Sequence, residues 1–384
     1  MRRLFLMLLL ALMASRAFAA NRVTVKQVEQ VLTQARDKAD AEVAQQLAGL
    51  ELTERLSTSR LQYWEAAFPG PATHGALVML ADSSALLDPP AEEILKNATP
   101  DATTLRQMMV LMVNYVNKTV RQLPNFMATR ETTGFEDSPE EDVLGQTGVT
   151  SYSYQPLHVV GKTSVRVVYR DRREEVDDAV KKAGKHGSQV QGLKTSGEFG
   201  PILSTVVADA VRGKITWSRW DQAASGPQAV FHYVVPKETS HYVVQFCCVS
   251  EGFSAFTGLS EWHIYTETTA YHGEITFDPT DGTILRMTAE AELPPGDLVS
   301  KAAMLVEYGP VEIGGKSFIF PTKSVSILLA HTTPPPPGAR SASSYKGAPK
   351  TFLNDVAFGQ YHQFRAEAHI VTGSEADAQP THGP

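Results

Sequence analysis
The chain has 384 residues, 42% of them hydrophobic, with 35 basic and 42 acidic side chains and a formal net charge of −7. That content can bury a core, and the acidic balance argues against nucleic-acid binding, which rests on clustered Lys and Arg. The length suggests two domains.

The first element is an export signal. Arg2 and Arg3 precede an apolar run of 11 residues, Leu4 to Ala14, and Ala17-Phe18-Ala19 supplies a small-x-small cleavage site. Charged flank, short apolar core and cleavage site predict a signal peptide over 1–19. The run is too short for a bilayer, which needs about 20 residues; an uncleaved anchor is the alternative. Losing Arg2, Arg3 and Arg16 takes the net charge from −7 to −10. The expected address is the periplasm or the medium, and no later stretch predicts a transmembrane helix.

Residues 20–125 read as a helical module. Val25, Val28, Val31 and Leu32 recur at helical spacing behind Thr24, with Gln27 placed for a capping box. Asp40 is placed to cap a second helix, which Gly49 closes. Further helices are expected around Leu52–Phe68 and His74–Leu87. The longest is expected from Asp101 to Gln122, carrying Met108, Met109 and Met112 in a broad apolar stripe that reads as core. Residues 126–149 are acidic and turn-rich and read as a linker.

The period then changes from 3.6 to 2. Residues 150–372 predict an antiparallel β domain, with a charged loop over 171–196 and a covering helix near 200–212. Hairpins are expected at Asp278-Pro279-Thr280-Asp281-Gly282 and at Gly314-Gly315. A final strand is expected over 356–371, after a Pro/Ser-rich loop over 331–350; residues 373–384 read as a disordered tail. The fold class is therefore α+β, a helical module followed by a larger curved antiparallel sheet.

No hydrolase elbow, phosphate loop, dinucleotide fingerprint or His-Glu-x-x-His motif is present. No catalytic residue and no cofactor are assigned. His263, His272, Glu261 and Glu274, with Glu267, are metal candidates if neighbouring strands converge; otherwise they are solvated strand residues. Glu290 and Glu292 share a strand face about 6–7 Å apart and read as its wet side. Cys247 and Cys248 are the chain's two cysteines. Strand parity puts them on opposite faces as packed thiols; a vicinal disulfide is the alternative.

Aromatic residues are the binding candidates: Trp217, Trp220, Phe231, Tyr233, Tyr242, Phe246, Trp262 and Tyr265. On a curved sheet they could line a pocket for an apolar ligand, or they could be core. Strand parity puts Trp217 and Trp220 on opposite faces. The run of strands, the covering helix and the hairpin from Gly273 to Arg286 resemble the bacterial outer-membrane lipoprotein carrier superfamily over about residues 150–372. That resemblance implies a half-barrel sheet holding acyl chains under helices. The N-terminal hundred residues, the last strands and the proline loop depart from it, and no functional residue is carried over.

Three functions are compatible with these features. One is an exported, non-enzymatic protein binding a hydrophobic or lipid-like ligand, or a lipoprotein, in the cell envelope. The second is an envelope interaction module without a ligand, and the third a hydrolase whose site is assembled from distant residues.

Overall fold
The computed structural model describes residues 21–138, 141–145, 148–152, 155–171, 173–176, 190–195, 197–223, 226–253, 260–294, 296–331 and 349–363, with residues 138, 141–145, 148–152, 176, 248, 250–253 and 260–262 described in backbone only. The signal segment, most of the 171–196 loop, most of the proline loop and the tail lie outside these residues.

In chain order, β1 (Asn21–Val23), α1 (Val25–Gln34), α2 (Asp40–Ala48), β2 (Leu50–Leu52), α3 (Thr58–Ala67) and α4 (Pro71–Ser83) come first. β3 (Ile94–Leu95), α5 (Ala102–Gln122), β4 (Phe126–Ser138), β5 (Glu141–Gly145), β6 (Gly148–Tyr152), β7 (Gln155–Arg170) and β8 (Arg173–Val176) follow. Then come α6 (Pro201–Arg212), β9 (Lys214–Ala223), β10 (Gly226–Val235), β11 (Val243–Phe253), β12 (Ser260–Thr268), β13 (Tyr271–Phe277) and β14 (Ile284–Ala291). The last strands are β15 (Val299–Ile313), β16 (Lys316–Ala330) and β17 (Lys350–Gln363).

Local chemistry explains the helix starts. Thr24 and Gln27 form the capping box: the Gln27 amide donates to Thr24 Oγ1, and the Thr24 amide donates to Gln27 Oε1 at 2.8 Å. Asp101 accepts from the Thr103 and Thr104 amides. Asp40 differs from expectation. It is the first residue of α2, not its cap, and its carboxylate caps α4 instead, accepting from the Ala72 and Thr73 amides at 3.0 and 2.9 Å. The Thr73 side chain first, and then the Thr73 and Ala72 amides, hold its pKa below the usual carboxylate value.

The fold is α+β, built on one 11-stranded antiparallel sheet in the order β3-β9-β10-β13-β14-β15-β16-β17-β4-β7-β8. The expected acidic linker is a sheet strand over most of its length: β4 pairs with both β17 and β7. Its Thr-rich run suits a pleated surface. The final strand begins at Lys350 and pairs in register with β16, Val325 opposite Asp355, six residues before the position expected for it.

Both sheet faces are covered. On one, α5 and α6 bury Met108, Met112, Val116, Val206 and Val207 against Phe231, Ile275, Met287, Met304 and Val306. The Met stripe is core, and α5 packs here rather than with the first four helices. Those four, with β1 and β2, close a core of their own around Val28, Leu32, Leu47, Trp64 and Leu77. This module sits over the other sheet face, where Met79 and Ala85 meet Leu305, Val325, Ile327 and Leu353.

Candidate functional site
The predicted aromatic residues gather in one layer, and the layer is filled. Phe231, Tyr233, Tyr242 and Phe246 are buried core, and Trp217, Trp220 and Tyr265 pack against them. Tyr233 packs edge-on to Tyr271 at 5.7 Å, Phe246 tilts against Phe352 at 5.2 Å, and Tyr233 donates to the Thr288 carbonyl. The Trp262 side chain lies outside the description. The helices α5 and α6 occupy the space in which a ligand pocket was expected.

The metal candidates separate. Glu261 and His263 lie on β12, which pairs with β11 in a sheet of two strands, whereas His272 and Glu274 lie on β13 in the large sheet. The expected facing strand is absent because β13 pairs with β10 and β14. Glu274 is engaged by Arg219, with 2.7 Å between Nη2 and Oε2, and Glu267 by Lys237. Although burial opposes its charge, Arg219 holds Glu274 below its ordinary pKa. Among the described residues no three His, Cys, Asp or Glu side chains form a metal-holding group.

Convergent chemistry lies elsewhere, on the sheet face under the helical module. Strand register aligns a row across six strands of the large sheet, polar on five of them and apolar at Val230 of β10. Arg219 and Thr276 both face Val230; Thr276 faces Arg286, Arg286 faces Glu307, and Glu307 faces Lys323. Residues opposite one another share a face, so the row is continuous. The module contributes Arg55 and Asp82. Arg55 pairs with Asp221 at 3.0 Å, and Lys323 bridges Asp82 at 2.5 Å and Asp355 at 3.3 Å.

Between row and module lies a cavity of about 350 Å³, lined by Arg55, Asp82, Asp221, Arg286, Glu307 and Lys323 and by Leu56, Leu61, Leu305 and Val325. A second cavity of about 340 Å³ opens beside it, and Arg286 borders both.

Among the described residues Arg286 has no carboxylate within ion-pair distance. Its Nη2 donates to the Ala85 carbonyl, the one hydrogen bond it makes among the described residues. Burial, and next the neighbouring Arg55 charge, depress its pKa to about 9. It still carries its charge near neutrality. The Glu307, Glu274 and Asp221 carboxylates offset the depression from beyond ion-pair distance, and an anion bound directly beside a half-buried cation would relieve more of the cost. The donors left over point the same way: among the described residues, Arg55 Nη1 and the Thr276 hydroxyl are buried without a partner.

Sequence reasoning missed Arg286 because it alternates with Leu285 and Met287 on a hairpin strand, as a solvent-facing residue would. Its burial comes from a module some two hundred residues earlier in the chain.

No family model, no curated protein and no solved structure matches this chain. Among the described residues no helix is long and apolar enough to cross a membrane.

Proposed function
We propose that the protein is a non-catalytic binding protein of the cell envelope, and that the cleft between module and sheet takes a ligand with an anionic group and an apolar portion. The observation that carries this reading is the half-buried Arg286 at the cavity wall, whose guanidinium makes no ion pair among the described residues. An anionic oxygen there would form charge-assisted hydrogen bonds, worth about 1.5–3 kcal/mol each. Leu56, Leu61, Leu305 and Val325 would receive the apolar part. The signal pattern over 1–19 supports the envelope address. A lipid-like ligand remains the proposal, moved from the aromatic layer to the charged cleft.

The test compares octanoate and octyl phosphate with octanol, by thermal shift and native mass spectrometry of the chain from residue 20. The acids are expected to raise the melting temperature and the alcohol to do so far less. Arg286→Met is expected to fold with its melting temperature unchanged or higher, since it removes a half-buried charge that no ion pair holds. It should weaken acid binding by about tenfold or more. Equal binding of octanol, or full binding by the variant, would remove the case for this cleft.

A further inference from the structure
The metal residues expected from the sequence separate, yet one of them, His272, meets an imidazole that the sequence did not pair with it. The ladder sets His272 of β13 opposite Val234, and His232 of β10 opposite Glu274. The two histidines are therefore diagonal neighbours on one face of the sheet, a spacing that long side chains span. Their ring centroids lie 6.1 Å apart, with the ring planes at 78°.

That separation fits one ion between two rings. A metal–nitrogen bond of about 2.0–2.1 Å puts each ring centre about 3.2 Å from the ion, so two rings on one ion stand no more than about 6.4 Å apart. The pair lies inside that limit, and a small rotation of either side chain closes the angle at the metal. Both rings are half-buried and have room to turn.

The surroundings suit a cation. Both histidines line the cavity of about 340 Å³, together with Asp88 and Glu290. Glu290 faces His272 across β13 and β14, which sets a carboxylate beside the pair. Of the cations in the same wall, Arg219 is spent on Glu274 and Asp221. Arg286 is four residues from Glu290 along β14, about 13 Å away in strand geometry. His272 Nδ1 lies 3.5 Å from Glu292 Oε1. A carboxylate at Nδ1 keeps the proton there and leaves Nε2 as a lone pair, the arrangement that supports metal-bound imidazoles. No third His, Cys, Asp or Glu of the described residues completes a group around the pair, so the other coordination positions fall to water or to a ligand.

We propose that His232 and His272 hold a late first-row transition-metal dication in an open two-imidazole site, with Glu290 acting on the ion through water. Imidazole suits copper and zinc, and copper(II) heads the affinity order for a given set of ligands. The site draws on none of the groups assigned to the acid cleft.

The test uses the folded, metal-stripped chain from residue 20, titrated with copper(II) and followed by calorimetry and electron paramagnetic resonance. One copper per chain is expected, with hyperfine structure from two nitrogen ligands. Zinc should bind more weakly and manganese(II) more weakly still. His232→Gln and His272→Gln should each weaken copper binding by at least about tenfold, the loss that even an outer-shell partner causes. Glu290→Gln should weaken it by a smaller factor. His241→Gln should change nothing, since His241 is held by Asp209 and does not line the cavity. In the unaltered chain, zinc should move two histidine imidazole resonances and leave the others in place, a readout that needs no variant. The proposal is overturned if a folded variant of either pair member keeps the wild-type affinity, or if His241→Gln weakens binding as much. It is also overturned if manganese competes with copper, because carboxylates would then hold the ion, or if zinc moves no imidazole resonance or many.

Discussion
Trp217 and Trp220 meet edge to face with ring centroids 4.9 Å apart, although three steps along an ideal strand would put them on opposite faces. The β9–β10 ladder explains the contact. Arg219 pairs with Val230 and Trp217 with Phe231, so Ser218 is an extra residue and the alternation skips a beat. Both indoles therefore join the Phe231 layer, Trp217 at 6.1 Å from that ring. Ser218 turns to the charged face, where it donates to Glu274.

This contact predicts a spectroscopic signature. Trp217→Phe and Trp220→Phe should each remove the same near-ultraviolet circular dichroism feature, because it belongs to the pair. Each should cost less than about 2 kcal/mol, since a smaller aromatic ring still fills most of the site. Different features lost in the two variants would mean that the rings are not coupled.

The elements legible in the sequence are those set by near neighbours. Thr24 with Gln27, Asp101, the Asp278–Gly282 turn and the Gly314-Gly315 turn all act within a few residues, and each forms as expected. The bulges at Ser218 and Cys248 were not legible, since one extra residue leaves composition unchanged while inverting parity. β4 was hidden because Glu136 and Asp137 look like linker charges. In the fold they bond Lys350 and the Thr351 amide of the neighbouring strand. Arg286 was hidden because what buries it is distant in sequence.

The Asp82–Lys323–Asp355 bridge predicts a pH dependence. Burial, and next the Asp355 carboxylate, push the Asp82 pKa up to about 8, while Lys323 is held above its ordinary value by those two acids despite its own burial. An acid whose folded pKa is raised favours folding in its protonated form. That stabilisation is complete below its ordinary value of 3.8 and is lost as pH rises through about 8. Thermal melts should therefore show stability falling across this range, and Asp82→Asn should flatten part of the slope. Glu174, pushed up to about 7 by burial and then by Glu198, adds to the same slope and should remain in the variant. An unchanged slope in Asp82→Asn would show that this carboxyl does not titrate there.

Gly282 ties the turn to α5. It has a φ of +80°, and a Cβ built there would lie 2.4 Å from the Leu111 carbonyl carbon. Gly296 has nearly the same φ, +79°, and a Cβ built there would meet no described atom within 4 Å. Gly296→Ala should cost about 1–2 kcal/mol, the conformational term alone. Gly282→Ala should cost more by about 1–3 kcal/mol, since the turn must lift from the helix. Urea denaturation of the two variants isolates the docking contribution, and equal losses would show that the turn does not bear on the helix.

Arg130 and Glu198 make the second buried ionic site, joining β4 to the segment that leads into α6. Glu198 is fully buried, and its Oε1 lies 3.3 Å from Arg130 Nη2, which also donates to Thr195 Oγ1 at 2.8 Å. Neither group is fully satisfied, for Arg130 Nε and Glu198 Oε2 have no partner. Such a pair stabilises little relative to an apolar replacement, yet loss of one member strands the other charge. Arg130→Met should therefore cost about 3–5 kcal/mol. Glu198→Gln should cost less, because the amide keeps the shape and one acceptor while giving up a charge that burial disfavours. The double variant Arg130→Met, Glu198→Gln should be more stable than Arg130→Met alone, giving a coupling energy of about 1–3 kcal/mol. Urea titrations at constant m-value measure all three, so that compactness changes do not enter. If the two substitutions add within about 0.5 kcal/mol, the charges are not coupled, and α6 is held to β4 by the Phe126–Phe199 packing at 5.2 Å rather than by this ion pair.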